Sequence, residues 1–350
     1  MAKPSALKLS ICIVTLNRVN FIGATLESIL FQVTNECEVV VLDCASTDGT
    51  DVLMLEYTRR FDRVRYIRQE ANNGIDRDYD RIVELAAGEY CWLMTDDDLL
   101  KPGVVAAVLQ ALRREHTLVI INAECRDFSM SKVVQRRWMD FESDRTYGPE
   151  EMDRLFVEVG DVLVYIGCVV IKRAIWLMRD RRRYYDSMFI HLGVLFQERL
   201  PGGALVIAEP FISYRMGNEH TFSAKAFEVF MISWPSVVWS LTLSDSAKRK
   251  VCSTEPWRHL WELLVWRGMG FYSLSDYRRS IHPRVHSIRE KLAPALVALL
   301  PGVLVNALVL VYFSVTVRRY RVWQPHTMLQ AMKDSRFFFR NWRFLKRASS

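Results

Sequence analysis

Apolar and polar positions alternate in blocks along the first third of the chain. Short apolar runs predict buried strands at residues 7–16, 39–42, 64–68 and directly before residue 96. Apolar residues at helical spacing predict helices at residues 21–31, 51–61, about 78–87 and 104–112. Because strands and helices alternate through short links, the sequence predicts an α/β fold with a mostly parallel, doubly wound sheet flanked by helices.

The pattern changes after residue 225. Tryptophan-rich helical segments without strand signals predict a helical region over residues 226–350, following an α/β domain over residues 1–225. Residues 292–317 carry no charge, which is long enough for a membrane span. Pro294, Pro301 and Gly302 argue against a straight span. A spanning segment, a segment that dips into or lies on the bilayer, and a buried core helix therefore all stay open.

Composition and charge narrow the class of protein. Half of the 350 residues are apolar, so wholesale disorder is excluded. Residues 318–350 contain nine basic residues and one acid among several aromatic residues, a charge of +8, so the net charge of +7 for the whole chain comes from this tail. This basic-aromatic tail favours an anionic membrane surface over nucleic acid or a solvated helix. Seven cysteines without CxxC spacing, and no leader-like start, predict reduced thiols in the cytoplasm.

Three consecutive acids, Asp96, Asp97 and Asp98, follow the fourth predicted strand. Parallel sheets bind ligands at the carboxyl ends of their strands. Adjacent carboxylates repel each other, so a cation is their natural partner, and an oxygen-only set suits Mg²⁺ or Mn²⁺. The alternative is an acidic turn that caps the helix after it.

Two more acids lie at neighbouring strand ends. Asp43 closes the second strand and Asp76 follows the third, each beside a polar loop with glycine. Such a carboxylate can contact a ribose or a base, or it can cap a turn. No GxGxxG follows the first strand and no GxxxxGK[ST] occurs in the sequence, so dinucleotide-binding and P-loop classes lose their main support.

Several motifs in fixed order resemble the family 2 glycosyltransferases of GT-A fold. They are ICIVTLNR at 11–18, DCASTDGT at 43–50, NG at 73–74, GEY at 88–90 and DDD at 96–98. The similarity extends over residues 8 to about 220 and is closer to the abequosyltransferase-like branch, which builds bacterial O-antigen and related surface polysaccharides.

The resemblance implies a nucleotide-sugar donor and assigns its contacts. It implies that the first strand end lines the base pocket and that Asp43 binds the nucleoside with Asp48 nearby. It implies that Asp96 and Asp98 hold the Mg²⁺ or Mn²⁺ on the diphosphate, with Asp97 in the variable place. The expected donor-binding residues are Thr15, Asn17, Arg18, Asp43, Asp48, Asp76, Asp96, Asp97 and Arg215. His220 is expected as a further metal or phosphate contact, although an ordinary turn at residues 217–218 is an equal alternative.

The base that deprotonates the acceptor is the least defined part of the predicted site. Many family members carry a Glu-Asp pair at the start of a later helix, and this sequence has none there. Asp186 and His191 lie in the comparable stretch and are the two predicted catalytic residues. Asp186 is favoured slightly as the commoner chemistry.

Together these features predict an inverting, metal-dependent glycosyltransferase. It would act on a lipid-diphosphate-linked oligosaccharide at the cytoplasmic face of the inner membrane, without a nucleic-acid partner. The alternative is a membrane-associated sugar-nucleotide-binding or scaffold protein without turnover. A nucleotidyltransferase is a third option, but the glycine-rich start typical of that class is missing.

Overall fold

The computed structural model describes residues 7–218, 225–316 and 325–338. It divides the chain into two compact units. The first contains residues 1–218 and 240–247, and the second contains residues 219–239 and 248–350. The change of sequence pattern at residue 226 lies close to this division.

The first unit consists of one large sheet and its flanking helices. The strands are β1 (Leu9–Thr15), β2 (Cys37–Asp43), β3 (Val64–Arg68), β4 (Tyr90–Met94), β5 (Leu99–Leu100), β6 (Leu118–Arg126), β7 (Val133–Gln135), β8 (Arg145–Tyr147), β9 (Val169–Lys172) and β10 (Ala204–Arg215). The helices are α1 (Ile22–Leu30), α2 (Thr50–Arg60), α3 (Ile75–Leu85), α4 (Val104–Leu112), α5 (Met152–Val159), α6 (Arg173–Met178) and α7 (Ile190–Phe196). The predicted alternation of strand and helix is confirmed.

The sheet has the order β3-β2-β1-β4-β9-β6-β10-β5, with β7 on β6 and β8 on β10. The pairs β3–β2, β2–β1 and β1–β4 are parallel, and so is the pair β6–β10. Strand β9 runs antiparallel between β4 and β6. Every residue of β1, β2 and β4 is buried, as expected for apolar strands covered on both faces.

The register brings three strand ends to one edge of the sheet. Thr15 at the end of β1 lies opposite Asp43 at the end of β2. Ile13 of β1 lies opposite Met94, the last residue of β4. The polar loops that follow these strands therefore meet at the carboxyl edge, where the sequence predicts the site.

The second unit is helical over its described residues. Along the chain the helices after β10 are α8 (Ala226–Glu228), α9 (Trp234–Ser240), α10 (Asp245–Val251), α11 (Leu260–Met269), α12 (Leu274–Asp276), α13 (Ile288–Leu299), α14 (Gly302–Thr316) and α15 (Pro325–Asp334). Its core includes Leu263, Val309 and Phe313. The buried Asn306 of α14 donates to the Gly268 carbonyl at 3.0 Å and to the Met332 carbonyl at 2.9 Å, which joins α14 to α11 and α15.

The uncharged segment forms two helices with a sharp bend. Within the described ranges no single helix is long and apolar enough to cross a membrane, but α13 and the following residues 302–314 meet the length and composition test as a pair bent by 92°. The Arg267 side chain donates to the Leu300 carbonyl at the bend, from Nε at 3.0 Å and from the terminal nitrogen at 2.7 Å. Most of the predicted basic tail, at 318–324 and 339–350, lies outside the described residues.

Candidate active site

The loops after β1 and β2 are hydrogen-bonded to each other. The Asn17 N–H donates to the Ser46 hydroxyl at 2.8 Å, and the Asn17 side-chain oxygen accepts from the Thr47 N–H at 2.8 Å. The Arg18 N–H donates to the Thr50 hydroxyl at 3.0 Å. Asn17 has a φ of +56°, a left-handed conformation that asparagine tolerates better than most residues. The two motifs that the sequence places about thirty residues apart thus form one structure.

Asp43 and Asp48 both lie in this structure but differ in exposure. Asp43 is fully buried, and its oxygens accept from the Ser46 N–H at 2.8 Å and the Tyr66 hydroxyl at 2.6 Å. Asp48 is exposed. Its slight burial acts to raise its pKa, but hydrogen bonds from Thr50 and from the Val19 N–H together have the larger effect, so the pKa is lowered. Asp43 therefore shapes the loop, and a donor contact by either carboxylate stays a prediction.

The acid turn, residues 96–98, begins directly after β4 beside this loop pair. The Asp96 carboxylate lies 3.5 Å from Arg18 Nε and beside Thr15. Burial, with a further contribution from the negative charge of Asp97, raises the pKa of Asp96 despite the Arg18 charge. Three of the residues predicted to bind the donor, Thr15, Arg18 and Asp96, are thus neighbours.

Asp98 is the most strongly hydrogen-bonded member of the acid turn and is 1% exposed. Its Oδ2 accepts from the Thr95 hydroxyl at 2.5 Å and the Tyr165 hydroxyl at 2.6 Å. Its Oδ1 accepts from the Arg215 N–H at 2.7 Å. Burial and the charge of Asp97 raise its pKa as well. Asp98 therefore links the turn to two distant segments of the chain.

Arg215 lies at the acid turn, as the sequence analysis expects, but its side chain is occupied. Its Nε donates to the Asp97 carbonyl at 3.0 Å and one terminal nitrogen donates to the Phe128 carbonyl at 2.6 Å. The Asn218 amide donates to Asp97 Oδ2 at 2.6 Å. Arg215 and Asn218 thus hold the turn in place, and diphosphate contact by Arg215 stays a prediction. His220 lies outside the described residues.

The oxygen atoms around the acid turn fit a divalent cation that brings most of its own ligands. No group of three or more His, Cys, Asp or Glu side chains within the described ranges has the geometry of a metal site. Asp96 and Asp98 remain, together with Asn218 Oδ1, a buried acceptor to which no described residue donates. One or two carboxylates, with water and phosphate oxygens completing the shell, is the usual arrangement for Mg²⁺ at a diphosphate. The fit therefore requires the donor to be present.

The structure contradicts the predicted donor contact of Asp76. The helix expected from about residue 78 begins at Ile75, so Asp76 lies in its first turn. Asp76 is 3% exposed, and its oxygens accept from the Met188 N–H at 2.8 Å and the Ile190 N–H at 3.0 Å. Burial raises its pKa to about 6. Asp76 therefore positions the segment before α7 and is closed to a nucleotide.

That segment carries Asp186, whose side chain is 73% exposed. Arg77, next to Asp76 on α3, donates to both Asp186 oxygens at 2.5 and 2.9 Å. This hydrogen-bonded guanidinium lowers the pKa of Asp186, which keeps it ionised. Asp186 and Met188 have φ of +65° and +70°, and such strained backbone is typical of functional loops. Asp186 is thus exposed and ionised, and its role as the proton acceptor stays a prediction.

The structure contradicts His191 as a base. His191 is 1% exposed within α7, and its Nε2 donates to the Leu163 carbonyl at 2.7 Å. Burial lowers its pKa to about 4, although the hydrogen bond to Leu163 acts in the opposite direction. A neutral imidazole enclosed by the core cannot reach an acceptor hydroxyl. Its role is structural.

Tyr165, Trp138 and Tyr214 were not among the predicted site residues. The Trp138 ring stacks on Tyr165 at 5.7 Å between centroids, and Tyr214 lies 5.2 Å from each ring. Tyr165 reaches Asp98 through its hydroxyl, so the cluster borders the acid turn. In the sequence, Trp138 lies in a stretch with Arg136, Arg137 and Tyr147 whose composition suits contact with sugar rings and acceptor phosphates but is also common on protein surfaces, and nothing in the sequence indicates Tyr165.

Comparison with known proteins indicates the family of the first unit. The family model for "Glycosyl transferase family 2" matches residues 10–175, which include β1 to β4 and the acid turn. The abequosyltransferase RfbV of Salmonella typhimurium is 24% identical over 230 residues, which are 62% of this chain and 69% of that protein. A Campylobacter jejuni protein, "GalNAc(5)-diNAcBac-PP-undecaprenol beta-1,3-glucosyltransferase", is 27% identical over 116 residues, which are 33% of this chain and 38% of its own.

Solved structures show the same fold. Residues 1–349 of S. aureus TarS in complex with UDP superpose with a TM-score of 0.55 at 14% identity, over 91% of this chain and 95% of that one. The same fragment in complex with UDP-GlcNAc gives a TM-score of 0.53 at 15% identity, over 93% and 91%. With the strand-end motifs brought to one edge of the sheet, these findings show a family 2 glycosyltransferase domain over residues 10–175 and a GT-A-like fold.

Proposed function

We propose that the protein transfers a sugar from a nucleotide-sugar donor to a hydroxyl of a lipid-linked oligosaccharide, with inversion at the anomeric carbon. The observation that carries this proposal is the junction of the β1, β2 and β4 ends, where Arg18 meets Asp96 at 3.5 Å and the Asn17 loop is bonded to the Ser46 loop. A nucleoside on the β1–β2 side would extend its diphosphate toward the acid turn. The UDP bound to TarS supports a nucleotide donor.

Asp96 and Asp98 would hold Mg²⁺ or Mn²⁺ together with the donor diphosphate. Bound there, the cation supplies charge stabilisation for the departing diphosphate. Arg18 adds a fixed positive charge beside Asp96. Arg215 and Asn218 keep the turn in shape through Asp97. The protein thus contributes orientation and preorganised charge where negative charge grows during the reaction.

Asp186 would act as the general base. As the acceptor oxygen forms its bond to the anomeric carbon, its proton passes to an Asp186 carboxylate oxygen, and the bond from that carbon to the diphosphate oxygen breaks. Helix α3 begins at the carboxyl edge, and the Tyr79 hydroxyl in its first turns donates to the Met94 carbonyl just before the acid turn at 3.1 Å. Arg77, which binds Asp186, is on the same turn of α3. This connection supports a place for Asp186 near the reacting atoms.

We expect the acceptor to be part of a bacterial surface polysaccharide. The name of the Campylobacter relative describes an acceptor on undecaprenol diphosphate. The name of RfbV describes transfer of abequose. These names support a polysaccharide acceptor, and the helical unit supports one that is attached to a lipid.

The bent helix pair is the proposed membrane-binding surface. One face of each helix packs into the core of the second unit, through Val297 on α13 and Val309 on α14. The opposite faces expose large apolar side chains at Ile288, Leu292, Leu296, Leu299, Leu304, Leu308 and Val311. Leu304 is 68% exposed and Ile288 is 83% exposed. An apolar face of this size, followed in the sequence by a basic-aromatic tail, fits the anionic cytoplasmic face of the inner membrane.

Donor turnover tests the enzymatic proposal. The protein is incubated with a panel of UDP-, dTDP-, CDP- and GDP-sugars in Mn²⁺ or in EDTA, and released nucleoside diphosphate is measured. We expect release from one nucleotide class, in Mn²⁺ only. With water as the acceptor, the NMR spectrum of the released sugar should show the inverted anomer first, before mutarotation. Donor binding without release would instead support the non-catalytic alternative.

Vesicle flotation tests the membrane proposal separately. We expect the full chain to float with phosphatidylglycerol vesicles at low salt and much less with phosphatidylcholine vesicles. Changing Leu304 and Leu308 to serine should abolish flotation, whereas the control Leu260→Ser, at a 47% exposed leucine of α11, should not. Equal flotation of all three proteins would refute this surface, and deletion of residues 318–350 measures the part that the tail contributes.

A further inference from the structure

Trp138, in the cluster with Tyr165 and Tyr214, differs from the other two tryptophans of the first unit in the hydrogen bonding of its indole N–H. Trp92 and Trp176 are fully buried, and their indole N–H groups donate to the Gly167 carbonyl at 2.8 Å and to Asp80 at 3.0 Å. Trp138 is only partly buried, and no described residue accepts from its indole N–H. Tryptophans that serve packing usually find such a partner.

Trp138 is nevertheless held firmly in place. Its backbone N–H donates to the Ala123 carbonyl of β6 at 2.7 Å. The next residue, Met139, is buried and bonded to Asn122 through both its N–H and its carbonyl, at 2.8 and 2.7 Å. One indole face stacks on Tyr165 with 17° between the ring planes. The indole is thus a rigid, preformed surface.

The cluster is also fixed relative to the acid turn. Tyr165 donates to Asp98 Oδ2 at 2.6 Å, and the residue after Tyr214 donates through its N–H to Asp98 Oδ1 at 2.7 Å. In the sheet, β1 and β2 lie on one side of β4. On the other side lie β10, which contains Tyr214, and β6, whose Ala123 carbonyl accepts from the Trp138 backbone N–H. The acid turn therefore separates the proposed nucleotide side from the aromatic side.

We propose that Trp138, with Tyr214 beside it, is a platform for a pyranose ring of the acceptor. The inference rests on the proposed glycosyl transfer. The apolar C–H face of the sugar would stack on the indole, and the free indole N–H would donate to a ring hydroxyl. A rigid aromatic face with one unused donor is the kind of lining that orients a polar ligand by few contacts.

Two readouts test the platform. The first is saturation-transfer NMR with a panel of methyl hexopyranosides (gluco, galacto, manno and rhamno) on the full chain with nucleoside diphosphate and Mn²⁺. Wild type should saturate the C–H face of at least one pyranoside, Trp138→Phe should retain a weaker signal, and Trp138→Ala should lose it. Phe31→Ala, which removes an aromatic ring that is 81% exposed at the end of α1, is the matched control and should retain the full signal.

The second readout compares transfer with donor hydrolysis in the active nucleotide class. Trp138→Ala should raise the acceptor KM at least about tenfold, equivalent to about 1.4 kcal/mol of binding free energy, and should lower transfer more than donor hydrolysis by water. Thermal melting of Trp138→Phe and Trp138→Ala shows whether both fold. Parallel loss of hydrolysis and transfer in folded Trp138→Phe, or an unchanged pyranoside signal in Trp138→Ala, would overturn the platform. If wild type hydrolyses no donor, the proposed function fails, and the NMR result still decides whether Trp138 binds a sugar.

Discussion

The acid turn after β4 and the segment that carries Asp186 hold their carboxylates in opposite ways. Asp98 is buried and accepts hydrogen bonds from three groups, two of them far along the chain. Asp186 projects into solvent and is bonded to one arginine of α3. We expect substitution of the buried Asp98 to lower both the free energy of unfolding and the activity. We expect substitution of the exposed Asp186 to lower the activity alone. Substitutions at the two places should therefore fail in different ways.

The largest effect is expected at Asp98. Asp98→Ala leaves the buried Tyr165 hydroxyl and Arg215 N–H without their acceptor, and an unsatisfied buried donor costs roughly 1–3 kcal/mol. We expect no detectable transfer and a free energy of unfolding lower by about 3 kcal/mol, measured by urea denaturation. Asp98→Asn, which keeps one acceptor oxygen, should recover part of the stability. Wild-type stability of Asp98→Ala would contradict the role given to these hydrogen bonds.

Asp96 separates chemistry from stability within the same turn. Asp96 forms a long ion pair with Arg18, at 3.5 Å, and its carboxylate is buried next to the negative charge of Asp97. Asp96→Ala should lower nucleoside diphosphate release by about a hundredfold or more, since one charge-stabilising group is lost at the leaving group. Its melting temperature should equal or exceed that of wild type because a buried like-charge repulsion is removed. A stability loss as large as that of Asp98→Ala would show that the two acids are equivalent.

Asp186→Asn should reduce transfer without changing the fold. General-base catalysis contributes about 10²–10⁴ in rate, so kcat should fall by that factor. Ion pairs between solvent-exposed side chains contribute little to stability, so loss of the pair with Arg77 should leave the melting temperature close to wild type. Asp180→Asn, at an exposed aspartate just upstream, is the matched control and should transfer normally. Normal kcat in Asp186→Asn would remove it as the base.

His191 should affect stability against pH and little else. Its pKa is about 4 in the folded chain against 6.5 when unfolded. Between those values the unfolded state binds the extra proton, so wild type loses stability as pH falls from 6.5 to 4, by about 3 kcal/mol from this residue. His191→Gln, which can still donate to Leu163, should show a shallower loss in urea denaturation across this range. A titration near pH 4 to 6.5 in the kcat profile that disappears in His191→Gln would restore His191 as a catalytic candidate.

The sequence predicts those parts of the site that depend on neighbouring residues, and it does not predict those that depend on contacts between distant segments of the chain. Thr15, Arg18, Asp43 and Asp96 follow apolar strands directly, so periodicity and the parallel order already predict that they meet. Asp76 was misplaced because helix α3 begins at Ile75, after a glycine with a φ of +93°, where no side chain caps the helix. Three residues of difference moved its carboxylate from an open loop to a buried turn.

The remaining residues depend on long-range pairing. Tyr165 and Arg215 reach Asp98 only because β9 and β10 return to the sheet beside strands that precede them by many residues. Asp186 and His191 are five positions apart and chemically plausible in the sequence alike. The two residues differ in burial. Burial depends on the packing of α7 and on the hydrogen bonds that the Asp76 carboxylate accepts from backbone N–H groups at the start of that helix.

The central claim is that the acid turn holds a divalent cation together with the donor diphosphate. The most direct measurement is a crystal structure of the full chain with Mn²⁺ and the nucleoside diphosphate of the active class, with anomalous data collected for manganese. We expect one anomalous peak within coordination distance of the Asp96 or Asp98 carboxylate and of the diphosphate oxygens. A diphosphate bound away from residues 96–98, or a peak that contacts neither carboxylate, would contradict it.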